Sequence, residues 1–315
     1  QSLWLRVEDR SESTRSRWQW TWVLDSTVFR KFGTKFGLVK PVFSNQDKRR
    51  APGIDVVLVA VVIGNGKLVV PLDFEIRRPD PEDAGHPCHN KLEWTRKMLD
   101  RNLEEFEQRG LKLPPPLVVA DAWFADSALM EHLRERWKGT LLVEGKKNFV
   151  YELGDGRRSS AEHLLAETGW KWKGSDQLPR DVRYVRLGAK SDTFGEVTLT
   201  LIDEPKEQEL YYLLCPRTEI NSVRLWRAYA RRNWIEWCFR TLKTLFKADK
   251  CQFATEDAYY GHVAMRLMAL LVLGYATRRV LRGQATMEQV IFGIKHHWRT
   301  LKSEFIEFEA LSCEQ

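Results

Sequence analysis

The chain has 315 residues, 43% of them hydrophobic and 30% charged, enough to bury a large core in one elaborated domain or two. That balance describes a globular chain rather than a disordered one, and the longest apolar run, Leu267 to Ala276, is too short to cross a bilayer. A net charge of +7 permits a polyanionic partner without identifying one.

Residues 1–17 are polar and of mixed charge, the end of a linker. Trp18 to Asp25 alternates, with Trp18, Trp20, Trp22 and Leu24 on one side and Thr21, Val23 and Asp25 on the other. This reads as a strand ending at Asp25, a position that also suits a turn residue. Ile54–Ile63 and Lys67–Ile76 are β-branched runs joined by Gly64-Asn65-Gly66, a hairpin signal. The loop Pro79 to His89 holds His86, Cys88 and His89, but no second Cys/His pair follows at zinc spacing. Asn90 to Gln108 reads as an amphipathic helix. Leu117 to Ala120 is a continuous apolar run of the central-strand kind, ended by Asp121. A helix from about Ser127 to Trp137 and a strand at Thr140–Val143 follow.

From 147 to 216, short strand-like runs (Val182–Leu187, Glu196–Ile202, Leu210–Cys215) alternate with Gly, Pro, Asp and Lys turns. Leu225 to Lys247, read as one helix, separates into two faces. Ile235, Cys238, Leu242, Leu245 and Phe246 form the apolar one, with Phe239 at its border. Tyr229, Arg232, Glu236, Arg240 and Lys243 fall within an arc of roughly 80°. Charged helical stripes are ordinarily solvated faces, whose i,i+4 pairs add a few tenths of a kcal/mol. Asp257–Arg282 and Thr286–Trp298 read as two packing helices. Positive charge concentrates around this part, with sixteen Lys/Arg against six Asp/Glu between Arg217 and Ser303. Five cysteines, at 88, 215, 238, 251 and 313, form no paired framework, as in a reducing cytoplasm.

The spacing Tyr229-x2-Arg232-x3-Glu236-x6-Lys243 resembles the Y-R-E-K signature of bacterial cut-and-paste insertion-sequence transposases of the DDE type. Val118 to Leu133 (VVADAWFADSALMEHL) resembles that family's second-aspartate block, and Tyr211 to Glu219 (YYLLCPRTE) its entry to the third. The likeness runs from Trp22 to about Ala276. It implies an α/β fold, a ribonuclease-H-like mixed sheet flanked by helices and interrupted by a β-rich insertion. The core would then occupy 18–146 and 217–303, with the insertion at 147–216 and a tail at 304–315. The linker 1–17 would follow an N-terminal DNA-binding region.

By the same resemblance, Asp25, Asp121 and Glu236 are the catalytic acids and ligands of two Mg²⁺ ions, for which Mn²⁺ would substitute. They would cut phosphodiester bonds at transposon ends and support strand transfer into target DNA, since such chemistry is served by paired hard cations on carboxylates. Tyr229, Arg232 and Lys243 would hold the end; Arg240 shares their stripe but not the signature. Trp170 and Trp172, in GWKWKG, are candidates for stacking a flipped base in the hairpin-forming branch, although their alternation equally fits a strand face on the core. The expected partners are terminal-repeat and target double-stranded DNA, bound by a homodimer on paired ends at the nucleoid in the cytoplasm. Two further readings stay open: an inactive or domesticated DNA-binding relative, and a nuclease of the same fold that cuts without joining.

Overall fold

The structure is a computed structural model describing residues 20–31, 36–44, 49–63, 68–77, 91–111, 113–206, 209–217, 219–251, 255–277, 287 and 289–291. The linker, the His86–Cys88–His89 loop, most of the expected helix at 286–298 and the tail lie outside these.

Among the described residues an eleven-stranded mixed sheet with helices on both faces bears out the α/β expectation. The strand from which the candidate site is built is β1 (Trp20–Arg30), a long run of β-branched and aromatic residues. On one side β1 pairs antiparallel with β3 (Arg49–Ile63) along its whole length, from Trp20↔Ile63 to Arg30↔Gly53. On the other it runs parallel to the short β5 (Leu117–Ala120), in register from Thr21↔Leu117 to Val23↔Val119. β5 is parallel to β6 (Thr140–Glu144). The outer edge of β3 is shared by β2 (Lys40–Ser44) and β4 (Leu68–Ile76). The latter is the hairpin partner expected from Gly64-Asn65-Gly66.

Beyond β6 the same sheet continues through β11 (Glu209–Cys215), β10 (Gly195–Glu204), β9 (Arg183–Ser191), β7 (Val150–Leu153) and β8 (Arg158–Ser160). The β-rich segment is therefore an extension of the sheet that carries the first strands.

Period-two alternation divides the core between the faces. Trp22, Leu24, Val118, Ala120, Leu141 and Val143 pack under α1 (Lys91–Gln108) and α2 (Ser127–Trp137), against Met98, Leu103, Leu129 and Leu133. Val23, Phe29, Ile54 and Leu58 face the other way. There they meet Ile235, Phe239 and Leu242 of α5 (Asn233–Thr244) and Tyr259 and Val263 of α6 (Glu256–Tyr275). Leu117, Val119, Leu142 and Leu213 lie under Leu225 and Ala228 of α4 (Ser222–Ala230). A short α3 (Ala161–Ala166) covers the β7–β8 end. Each fully buried Leu or Val on these faces contributes about 1.5–3 kcal/mol.

Two expectations need correcting. β1 does not end at Asp25: it continues five residues to Arg30, because β3 supplies partners throughout (Asp25↔Leu58, Phe29↔Ile54). And Leu225–Lys247 is not one helix. It breaks at Arg231–Arg232 into α4 and α5, where Arg232 N–H bonds the Tyr229 carbonyl (2.8 Å) and Ile235 N–H the Arg232 carbonyl (2.9 Å). These tight i→i−3 bonds turn the chain, since α4 rests on β5 and β6 whereas α5 rests on β1 and β4.

Candidate active site

Asp25 sits where β1 loses its parallel neighbour. The β1–β5 register, continued two residues past Val23↔Val119, brings Asp25 level with Asp121, where β5 has ended and a 3₁₀ turn (Ala122–Phe124) begins. Asp121 caps that turn: its Oδ1 accepts from Trp123 N–H at 2.9 Å. One oxygen of Asp25 likewise accepts from Ser26 N–H (2.7 Å). Both carboxylates are thus oriented by backbone, each with a second oxygen turned elsewhere. Clefts at carboxyl ends of strands are where open α/β sheets bind ligands.

Glu236 comes from above, on the first turn of α5, where the helix dipole favours an acid. Between it and Asp25 lies Arg232, at the helix break. Its Nη2 stands 3.0 Å from Glu236 Oε1 and 3.6 Å from Asp25 Oδ2. Burial works against the guanidinium charge, but Tyr229, Asp25, Glu236 and Asp121 together hold its pKa above the ordinary value. Its Nε is buried and has no hydrogen-bond partner among the described residues.

Asp25 is 6% exposed. Burial raises its carboxyl from 3.8 to about 6; Arg232 opposes that rise, Asp121 adds to it, the Ser26 N–H opposes it and Glu236 adds to it. The fields of all three acids therefore meet at Asp25. The folded protein holds this proton more tightly than the unfolded chain between about pH 4 and 6. Stability from this group is accordingly full below pH 4 and lost as pH rises through 6. Asp25→Asn is expected to stabilise the metal-free protein at pH 7.5, by up to roughly 3 kcal/mol for a two-unit shift. The gain should shrink at pH 4.5, and urea unfolding at the two pH values checks it.

Of the cations expected to hold DNA, Lys243 lies on α5 with its Nζ 5.9 Å from the Phe29 ring centroid. Burial lowers its pKa, Asp249 and Asp25 pulling the other way. Arg240 is exposed on the same helix. Tyr229 is buried, and its hydroxyl donates to Glu144 Oε2 at 2.8 Å. Trp170 and Trp172 pack half-buried against the main core; Trp170 Nε1 donates to the Leu164 carbonyl and Arg183 lies over the Trp172 ring.

Glu144 adjoins the candidate site and was not singled out from the sequence. It ends β6 one step beyond the pair Ala120↔Val143, level with Asp121. Leu141-Leu142-Val143-Glu144 repeats the pattern of Val118-Val119-Ala120-Asp121, an apolar central strand closing on an acid, and that repeat was the available signal. Gly145 follows because a Cβ there would lie about 2.0 Å from the Tyr212 ring.

The sequence model of the transposase DDE-domain family matches residues 22–272. The chain belongs to that family. No curated protein matches it. A transposase DDE domain acts on DNA and cleaves nucleic acid, and its relatives generally use divalent metal ions. None of the described helices is long and apolar enough to cross a membrane.

The donors here suit such an ion. Asp25, Asp121 and Glu236 offer carboxylate oxygen alone, the preference of a hard cation of the Mg²⁺ class. The raised Asp25 pKa comes first from burial, with Asp121 and Glu236 adding to it, and a bound cation would offset all three. Among the described residues no three His, Cys, Asp or Glu side chains converge closely enough to ligate one ion. In this arrangement the cation between Asp25 and Glu236 is the guanidinium of Arg232.

Proposed function

We propose that this DDE domain hydrolyses phosphodiester bonds at the ends of an insertion sequence and joins the freed 3′-hydroxyl to target DNA, with Asp25, Asp121 and Glu236 as acids that hold divalent ions. The observation that carries the reading is the junction at Asp25, where a desolvated carboxylate feels Asp121 from the neighbouring strand and Glu236 from the overlying helix. The chemistry that two Mg²⁺ or Mn²⁺ ions supply at such a site is activation of the attacking oxygen and stabilisation of the leaving one.

The chain's own residues do the rest. The Ser26 and Trp123 N–H groups fix the two aspartates, so the site needs little rearrangement of backbone. Arg232 leaves Glu236 and turns its fork, including the unpartnered Nε, to a phosphate oxygen of the DNA end. Lys243, half-desolvated on the β1 side, neutralises the next phosphate. Glu144 holds the Tyr229 hydroxyl on the flank of the cleft, ready to be released to the DNA end.

The division into core (18–146, 217–303) and insertion (147–216), action as a homodimer on paired ends at the bacterial nucleoid, and a hairpin intermediate belong to the same proposal, carried by the family resemblance. Cutting with joining is favoured over cutting alone by the Y-R-E-K spacing.

Binding should be dominated by phosphate contacts from the basic 217–303 region. Between 50 and 200 mM salt, affinity for duplex DNA is expected to fall about a thousandfold if six or so phosphates are contacted, linearly in log–log form. Fluorescence anisotropy over that range tests this; a flat dependence would contradict it.

A further inference from the structure

Trp123 is 72% exposed, an indole left in solvent two residues after Asp121. One exposed apolar ring is ordinary on a protein surface; what distinguishes this one is its place beside Asp121 and the cations around it. Its own backbone N–H donates to Asp121 Oδ1, which places the residue at the rim of the candidate site. Two ammonium groups from separate elements flank the ring: Lys91 Nζ, from the start of α1, at 5.7 Å from its centroid, and Lys146 Nζ, just past β6, at 5.9 Å. Lys91 also donates to the hydroxyl of Ser26, the residue after Asp25, and stands 4.7 Å from the Phe124 ring centroid. Lys146 is anchored through its carbonyl, which accepts the Tyr212 hydroxyl at 2.8 Å. Among the described residues neither ammonium is ion-paired to a carboxylate.

We propose that Trp123, Lys91 and Lys146 form a nucleobase-stacking clamp at the mouth of the site, taking one unstacked base of the strand being cut. This rests on the DNA-cleaving reading above. An aromatic face accepts any base, and flanking cations serve its phosphates, the combination used for single-stranded nucleic acid. Bases inside a duplex have both faces occupied by their neighbours. The clamp therefore takes a terminal, frayed or nicked position rather than duplex interior. Trp123 is thus a positioning residue: it sets the strand's register against Asp121 without touching the bond that breaks.

The test uses the full chain in EDTA with a 15-nucleotide single strand, the matching blunt duplex, and a duplex bearing 2-aminopurine at one terminal position. Trp123→Ala is expected to weaken single-strand binding about tenfold or more, to leave duplex binding within about twofold, and to abolish the 2-aminopurine quenching expected of the unaltered protein. Trp123→Phe should restore most of both. Because the ring is exposed, the thermal melt of each variant should match that of the parent. Single-strand affinity of Trp123→Ala within twofold of the parent, with salt-sensitive duplex binding intact, would overturn the clamp alone. Failure of the parent to bind either DNA would overturn the clamp and the DNA-cleaving reading together.

Discussion

Glu236→Gln is expected to leave the fold intact and to abolish divalent-dependent cleavage. Glu236 is half exposed on the first turn of α5, so losing its charge removes a favourable dipole interaction and the Arg232 pair, together about 1 kcal/mol. Its loss as an oxygen donor acts on a different scale. Metal-assisted stabilisation of transition-state charge is worth several kcal/mol, so the single-turnover rate should fall on the order of a thousandfold or more. Duplex affinity should stay close to the parent's, because phosphate contacts supply it and an acid is removed, not a base. If Glu236 were only a solvated helical acid, cleavage would barely move, and a single-turnover assay on pre-bound DNA separates the two outcomes.

Arg232→Ala should show two large effects at once. In the metal-free protein at pH 7.5 it leaves Asp25 buried without its cation, and breaking such a buried pair costs about 3 kcal/mol. Part of that loss is recovered at pH 5, where Asp25 takes up a proton instead. Added Mn²⁺ should also recover part of it, since a bound cation replaces the missing guanidinium. Cleavage behaves differently, because the phosphate loses its bidentate partner, and a misplaced reacting group costs on the order of a hundredfold. That deficit should persist at saturating metal. Lys243→Ala supplies the contrast: it should slow cleavage similarly while changing stability by no more than about 1 kcal/mol, Lys243 having no carboxylate at ion-pair distance among the described residues. Urea unfolding with and without Mn²⁺, beside single-turnover rates, resolves these contributions.

What was legible in the sequence follows from how local each signal was. Asp121 could be read because a four-residue apolar strand has a sharp end and the acid caps the turn that ends it. The helix Ser127–Trp137 and the strands from 183 to 215 were legible for the same reason, their turns being marked by their own residues. Asp25 was found, but its setting was not. The length of β1 depends on β3, more than twenty residues away, and the fork at Asp25 exists because β5 is short. β2 was missed because its five residues hold little periodicity and Pro41 demotes the run to an edge, which is where it lies.

The break at Arg231–Arg232 carries no Gly or Pro, so the periodicity ran through it unmarked. Its cause is tertiary, two helices resting on different strands, and it buries Tyr229 while leaving Arg240 in solvent. Exposure of Trp123 and burial of Trp170 and Trp172 are tertiary too. Packing separates the ring left in solvent from the two that lie half-buried against the core.

The central claim is that Asp25, Asp121 and Glu236 together cut DNA with divalent ions. It is tested most directly by incubating the full chain with a duplex carrying the terminal repeats that flank its own coding sequence, and sizing the products on a denaturing gel. The expected product is a cut at the repeat boundary that leaves a 3′-hydroxyl, appears with Mg²⁺ or Mn²⁺, disappears in EDTA, and is absent from Asp121→Asn. Equal cutting in EDTA, or by a variant combining Asp25→Asn, Asp121→Asn and Glu236→Gln, would contradict it.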